Sequence, residues 1–252
     1  MGGMQIPSVK DRILTPFRSS PAMSNNIGKA EGPFSPSKPK NIHLLVACEP
    51  ETANMTDEDR SLLALMGITL IMTGVGTLNA CMAAMKSVAA GADYIINIGT
   101  AGSHTFPVGT VIQGNGSVKR DVDATLIMRS ITGEDGKALF PDWPKFQMPF
   151  EDNIIIRATR LLNTNLQQSL VFSGDNTHGH TETNEMFSAF GCVEMETHGI
   201  EKVCIDAGIP FDCFKFISDG AGENVGDEWD KNADSIPWTN LLREIARGLG
   251  YL

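Results

Sequence analysis

Three short apolar runs constrain this chain more than any other feature, because each is followed by a helical pattern or a glycine cluster. IHLLVAC from Ile42, ITLIMTG over residues 68 to 74, and ADYIINIGTAGS from Ala92 carry nearly continuous apolar side chains. Strands of this kind are buried on both faces, as in a mostly parallel sheet covered by helices. Between them lie helical patterns around Ala53 to Met66 and through VGTLNACMAAMKSVAAG, whose small residues suit close packing on a sheet. Strand, helix, strand, helix, strand predicts a doubly wound α/β layout.

Beyond Gly102 the texture changes. GTVIQGN and GSVKRDVDATLIM read as paired strands with turns, and residues 130 to 150 as a Pro- and Gly-rich loop holding Trp143. So long a loop is expected to cover a site or an interface. NIIIRATRLLN reads as a helix, SLVFSGD as a strand, and a further helix starts near Thr181. FDCFKFI is a strand. The last helix, from about Ser235 to Gly250, sets Leu241, Leu242, Ile245 and Leu249 against the sheet.

At 252 residues and 42% hydrophobic content the chain can bury one full α/β core. Residues 1 to 40, rich in Ser, Pro, Gly and Lys without periodicity, read as a flexible tail, leaving 41 to 252 as a single catalytic domain. There is no 18-residue apolar run and no apolar signal-peptide region, so no membrane partner is expected and the cytoplasm is the default location. A net charge of -10 without a basic run argues against a nucleic-acid partner and for a small-molecule ligand. The five cysteines are odd in number and lack CxxC spacing, so they read as small core residues in a reducing compartment. His178 and His180, two apart in a loop without a third ligand, are weak evidence for a metal, and none is expected. Neither a GxGxxG nor a GxxxxGK[ST] fingerprint is present.

Acid groups stand at two element ends. Glu194 and Glu196 flank Met195 where a helical pattern starts, and FDCFKFI runs straight into Ser218 and Asp219. An acid in a first helical turn can be only a cap, and an Asp after a strand can simply begin a turn. In α/β proteins, however, ligands bind at the carboxyl ends of strands, which keeps the functional reading of both open.

Taken together, GVGTLNA, ADYIINIGTAGS, SGD, VEMET and FISD, with Trp229 ten residues beyond the aspartate, resemble the purine nucleoside phosphorylase superfamily, specifically its methylthioadenosine/S-adenosylhomocysteine nucleosidase branch. The resemblance spans roughly residues 42 to 250. It implies a three-layer α/β sandwich around a mixed, partly barrel-like central sheet, in a homo-oligomer, most simply a dimer. It implies a purine nucleoside as substrate and no cofactor.

The resemblance also implies roles. Breaking an N-glycosidic bond leaves positive charge on the ribose and negative charge on the departing purine, so the base needs a proton and the sugar needs anionic oxygen nearby. Asp219 matches the general acid, whose pKa a water-poor pocket would raise. Glu196 matches the acceptor of both ribose hydroxyls, Met195 packs under the sugar, and Glu194 holds a water or the 3'-hydroxyl. ACEPET matches the stretch whose last glutamate activates water, which makes Glu51 the general base and sets Cys48 near the ligand. Thr100 and Ala101 line the pocket, with Ser218 beside the acid. Lys215 stands where an Arg is usual and steadies Glu194 or a ribose-side carboxylate. Trp229 closes over the base, and Thr177 stands near the place of a purine-stacking ring. Ala124 and Ile127 are the contacts to a neighbouring subunit's 5'-substituent pocket. Asn97 replaces an arginine that binds phosphate in the phosphorylases, which favours hydrolysis. A phosphorylase and a non-catalytic nucleoside-binding or storage relative remain the alternatives.

Overall fold

The structure, a computed structural model, describes residues 38–142, 155–156, 158–176 and 187–252. The expected tail falls almost wholly outside the described residues, as do Trp143, Thr177, His178, His180 and the start of the helix expected near Thr181. Residues 38–121 and 155–252 form one compact unit, and residues 122–154 belong to another.

The first unit opens as the apolar runs require. Strand β1 (Ile42–Val46) leads through a 3-10 turn (Glu49–Thr52) to helix α1 (Asp57–Leu65), then β2 (Ile68–Met72), α2 (Thr77–Ala89) and β3 (Tyr94–Gly102). The helix begins later than the pattern suggested, for two local reasons. Pro50 starts the 3-10 turn, and Thr56 caps α1 in a reciprocal box with Asp59. β1 pairs in parallel with both β2 and β3, so the doubly wound start is as expected.

The rest of the unit closes the sheet upon itself. β4 (Val111–Lys119), β5 (Ile155–Ile156), β6 (Gln167–Ser173), β7 (Gly191–Glu194) and β8 (Phe211–Asp219) follow, with α4 (Thr197–Ala207) between the last two. β3 pairs with β8, β8 with β4, β4 with β6, β6 with β7 and β7 with β3. Five strands, some parallel and some antiparallel, thus form a closed ring, with β1 and β2 as a sheet extension beside β3. Helix α5 (Val225–Asn232), a 3-10 turn (Ala233–Ser235) and α6 (Trp238–Gly248) complete the chain. In the other unit a short helix, α3 (Thr125–Ser130), carries Ile127 and is preceded by Ala124, and Thr132 bridges Ala138.

Two helical layers cover the sheet. Ile42, Leu44, Val46, Ile96 and Ile98 share one core with Leu63 of α1 and with Trp238, Leu241, Leu242, Ile245 and Leu249 of α6 and its end. Leu45, Ile95, Ala101 and Ile217 face the other way, onto Ala80 and Ala84 of α2 and Ile200 and Cys204 of α4. Alternation along each strand feeds both cores, which is the three-layer sandwich. Each large side chain so buried contributes about 1.5–3 kcal/mol.

Two expectations are corrected. The QGNGS stretch does not turn; β4 runs through it as one strand. Gly114 serves close approach instead, for a Cβ there would stand 2.2 Å from the Cys213 sulfur, and the pairing with β6 shifts register between Gly114 and Ser117. The described part of NIIIRATRLLN, residues 155–156 and 158–163, is not helical either. Ile155–Ile156 pairs with β4, and the backbone beyond is held by acceptors from other elements. Glu201 accepts from Ala158 N at 2.8 Å, and Asp212 Oδ2 accepts from Leu161 N at 2.9 Å and Leu162 N at 3.2 Å. Those amides therefore have no need of helical carbonyls.

Asp212 also accepts from Tyr94 Oη and Gln113 Nε2, each at 2.8 Å, and is wholly buried. Replacing Asp212 by Ala should orphan four donors and lower the unfolding free energy by on the order of 4 kcal/mol in a urea titration. A loss below about 1 kcal/mol would contradict this reading.

Candidate active site

The ring brings several strand ends to one place. Gly102, at the end of β3, is in register with Asp219 at the end of β8 and with Val193 of β7, while Ser173 at the end of β6 is in register with Glu194. A cavity of about 310 Å³ opens there, within the range of small-ligand sites. Glu51, Cys48, Thr100, Ala101, Glu194, Met195, Glu196, Asp219 and Trp229 all line it. Nine of the residues expected from the sequence are thus brought together. Ser218 and Lys215 stand behind the wall, the first bonded to Asp219 and the second to Glu194. Both support acids that line the cavity. Ala124 and Ile127 belong to the other unit.

Glu194 and Glu196 divide two tasks. Glu196 occupies the N-cap position of α4 but caps nothing; its Oε1 accepts instead from Gly76 N, at the start of α2, at 2.8 Å. Capping falls to Glu194, whose oxygens accept from Thr197 N and Oγ1, from Glu196 N and from Ser173 Oγ. The Lys215 ammonium lies 2.7 Å from Glu194 Oε2, and both groups are buried. With its oxygens held by protein donors, Glu194 is the frame on which Glu196 is mounted, and it also lines the cavity. Burial alone would raise its pKa, yet the Lys215 charge and these hydrogen bonds hold it down at about 2. Burial, and next the Glu194 charge, push Glu196 the other way, up to about 7.

Asp219 is both a turn residue and a cavity residue. Its Oδ1 accepts from Ala221 N and its Oδ2 from Ser218 Oγ, each at 2.8 Å. Gly102 is needed opposite, because a Cβ there would meet Asp219 Oδ1 at 2.3 Å. Burial raises the Asp219 pKa, the direction a proton donor requires. Glu51 is fixed by three donors: Thr100 N at 2.6 Å and Thr100 Oγ1 at 2.8 Å to Oε1, and Ala47 N at 3.1 Å to Oε2. Trp238 Nε1 donates to the Glu51 carbonyl at 2.9 Å, tying the 3-10 turn to α6.

Sequence reasoning missed Arg120 and Asn176, which also line the cavity. The Arg120 guanidinium bonds Asn176 Oδ1, the Asn176 carbonyl at 2.7 Å and the Gly174 carbonyl at 3.2 Å, bracing the chain that leaves β6. The Gly76 amide was missed too, although a glycine heading the α2 pattern was a readable signal for a helix start facing a carboxylate.

The sequence matches the phosphorylase superfamily over residues 60–242. The chain belongs to the phosphorylase superfamily. Within this superfamily a 5'-methylthioadenosine/S-adenosylhomocysteine nucleosidase of Geobacillus sp. (strain WCH70) is 27% identical over 202 residues, covering 76% of this chain and 81% of that protein. Among solved structures, a 5'-methylthioadenosine/S-adenosylhomocysteine nucleosidase from Helicobacter pylori superimposes with a TM-score of 0.66 at 19% identity, covering 84% of this chain and 99% of that one. A futalosine hydrolase of Helicobacter pylori strain 26695 does so with 0.66 and 19%, covering 84% and 98%. These structural likenesses establish the phosphorylase-superfamily fold that the motifs predicted.

The Glu194–Lys215 pair makes the site sensitive to acid. Because the folded-state pKa of Glu194 lies below its ordinary 4.5, the stability it contributes is full above that value and is lost as pH falls towards 2. Replacing Lys215 by Met should cost about 3–5 kcal/mol by leaving a buried charge unpaired, and adding Glu194→Gln should recover part of it. Denaturant titrations of both variants check this; a double variant as unstable as the sum of the singles would contradict it.

Proposed function

We propose that this member of the superfamily is a nucleosidase that hydrolyses the N-glycosidic bond of a purine nucleoside, 5'-methylthioadenosine or S-adenosylhomocysteine, and releases adenine. The observation that carries the reading is the convergence of the Glu51, Glu196 and Asp219 carboxyl groups on one buried cavity. The named relatives support the substrate class. Asp219, whose pKa burial raises, gives its proton to N7 of the purine as the bond to the sugar stretches. Glu196 accepts both ribose hydroxyls with Met195 beneath the ring, and its charge stabilises the oxocarbenium ion. Glu51 takes a proton from the water that attacks the anomeric carbon. Thr100, Ala101 and Cys48 shape the wall around that water, and Trp229 flanks the base.

Charge favours water over phosphate as the nucleophile. Four carboxyl groups line the cavity, Lys215 is already paired, and Arg120 is held by the carbonyls leaving β6. A phosphate dianion brought beside Glu51 would meet repulsion. We place the enzyme in the cytoplasm, where its five free thiols would stay reduced. It assembles as a homodimer, supported by the outward faces of Val75, Leu78, Met82 and Met85, which expose 50%, 73%, 48% and 61% of their surface at and before α2. In such a dimer Ala124 and Ile127 contact the 5'-substituent in the neighbouring copy's cavity.

Incubation with 5'-methylthioadenosine, S-adenosylhomocysteine, adenosine and inosine should release free base at equal rates with and without phosphate. Asp219→Asn should lower turnover of adenine nucleosides by at least about a hundredfold while binding remains measurable by calorimetry. Near-normal rates in that variant, or a strict need for phosphate, would reject the reading. On the acid side kcat/KM should fall near pH 7 as Glu196 takes up its proton.

A further inference from the structure

The base of the proposed reaction is reached by a hydrogen-bond chain that begins on a different helix. Trp229, half-buried on α5, donates its indole Nε1–H to Thr100 Oγ1 at 2.9 Å. Thr100 Oγ1 in turn lies 2.8 Å from Glu51 Oε1. An indole N–H can only donate, and an ionised carboxylate can only accept. The single hydroxyl proton between them must therefore point at Glu51, and the chain has one direction, from Trp229 through Thr100 to Glu51.

That direction decides which oxygen of Glu51 is free. Oε1 already holds two donors, the Thr100 hydroxyl and the Thr100 amide, while Oε2 holds only Ala47 N. A carboxylate oxygen offers about two acceptor directions. Oε2 is thus the atom with an acceptor site left for a water in the cavity. The donor at the head of the chain is itself well anchored. Glu228 Oε2 accepts from Gly220 N at 2.7 Å, and Asn232 Nδ2 donates to the Ser218 carbonyl at 2.8 Å, so α5 is fastened on both sides of Asp219. The helix that presents Trp229 is pinned to the strand end that carries the acid.

We infer that Trp229 is a positioning residue for Glu51: beyond covering the cavity, its N–H orients the Thr100 hydroxyl so that Glu51 presents Oε2 to the attacking water. The inference rests on the nucleosidase reading, in which Glu51 activates water. A phenylalanine at this place would cover the ligand equally well and could not orient the hydroxyl.

Steady-state kinetics with 5'-methylthioadenosine on the wild type, W229F, T100V, T100S and W229F/T100V test it. In W229F kcat should fall about tenfold, the worth of one oriented hydrogen bond, with KM within about twofold of the wild type. T100V should lose about a hundredfold in kcat, as expected when a hydrogen bond to a charged group is removed, and T100S should regain most of that loss. In the T100V background W229F should change kcat by less than about twofold, because the indole acts only through the hydroxyl. A raised KM with kcat intact in W229F would reduce Trp229 to a cavity wall, and multiplying effects in the double variant would break the chain; either overturns the inference. W229L, which also lacks the N–H, is the second variant should W229F fail to fold. A wild type that releases no base from any purine nucleoside would overturn the nucleosidase reading itself and this inference with it, an outcome distinct from an active wild type with a silent W229F.

Discussion

Burying a carboxylate among strands costs several kcal/mol unless every lone pair is met, and Glu194 meets that condition by drawing on two other strands and a helix. Ser173 from β6, Lys215 from β8 and the first residues of α4 all converge on it at the end of β7. That single group therefore ties β6, β8 and the following helix to the end of β7, the shortest strand of the ring at four residues. It also relieves Glu196 of capping α4, so that Glu196 can turn to the Gly76 amide and the cavity. The interaction that seals the barrel is thus the one that frees the neighbouring acid for chemistry.

The same economy appears on the opposite wall. Glu51 sits in a 3-10 turn too short to be stable alone, yet its carbonyl is held by Trp238 and its carboxylate by Ala47 and Thr100. The turn is positioned by α6 on one side and the end of β3 on the other. Rigid elements hold the carboxylates and leave little reorganisation for a reaction, which is the condition for electrostatic stabilisation of a developing charge. Glu196 and Asp219 are both raised by burial, whereas Glu194, equally buried, is held low by Lys215. Pairing with one ammonium separates Glu194 from the two acids whose pKa burial raises.

Much of this was legible in the residues. Continuous apolar runs announced β1, β3 and β8 because both faces of those strands are buried, and they announced β2 although that strand is only partly covered; the acids at the strand ends marked the cavity. What escaped has a common cause: long-range partners overrode local propensity. QGNGS carries turn chemistry, but its Gly114 lets β4 press against Cys213. ATRLLN has a helical pattern, but Glu201 and Asp212 take its amides. Arg120 lay in a segment read for a subunit contact, and nothing local tells that its guanidinium folds back onto the carbonyls after β6. The division of labour between Glu194 and Glu196, two residues apart, was open in the sequence for the same reason, since the deciding ammonium comes from position 215.

The central claim is that these carboxylates surround a sugar that becomes cationic as the purine leaves. A charged pyrrolidine analogue, whose ring nitrogen carries the positive charge of the ribosyl cation, measures this most directly through its inhibition constant. The account predicts inhibition at least about a hundredfold tighter than the KM for 5'-methylthioadenosine and much tighter than that of an uncharged carbocyclic analogue. Equal affinity for the charged and uncharged analogues would contradict it.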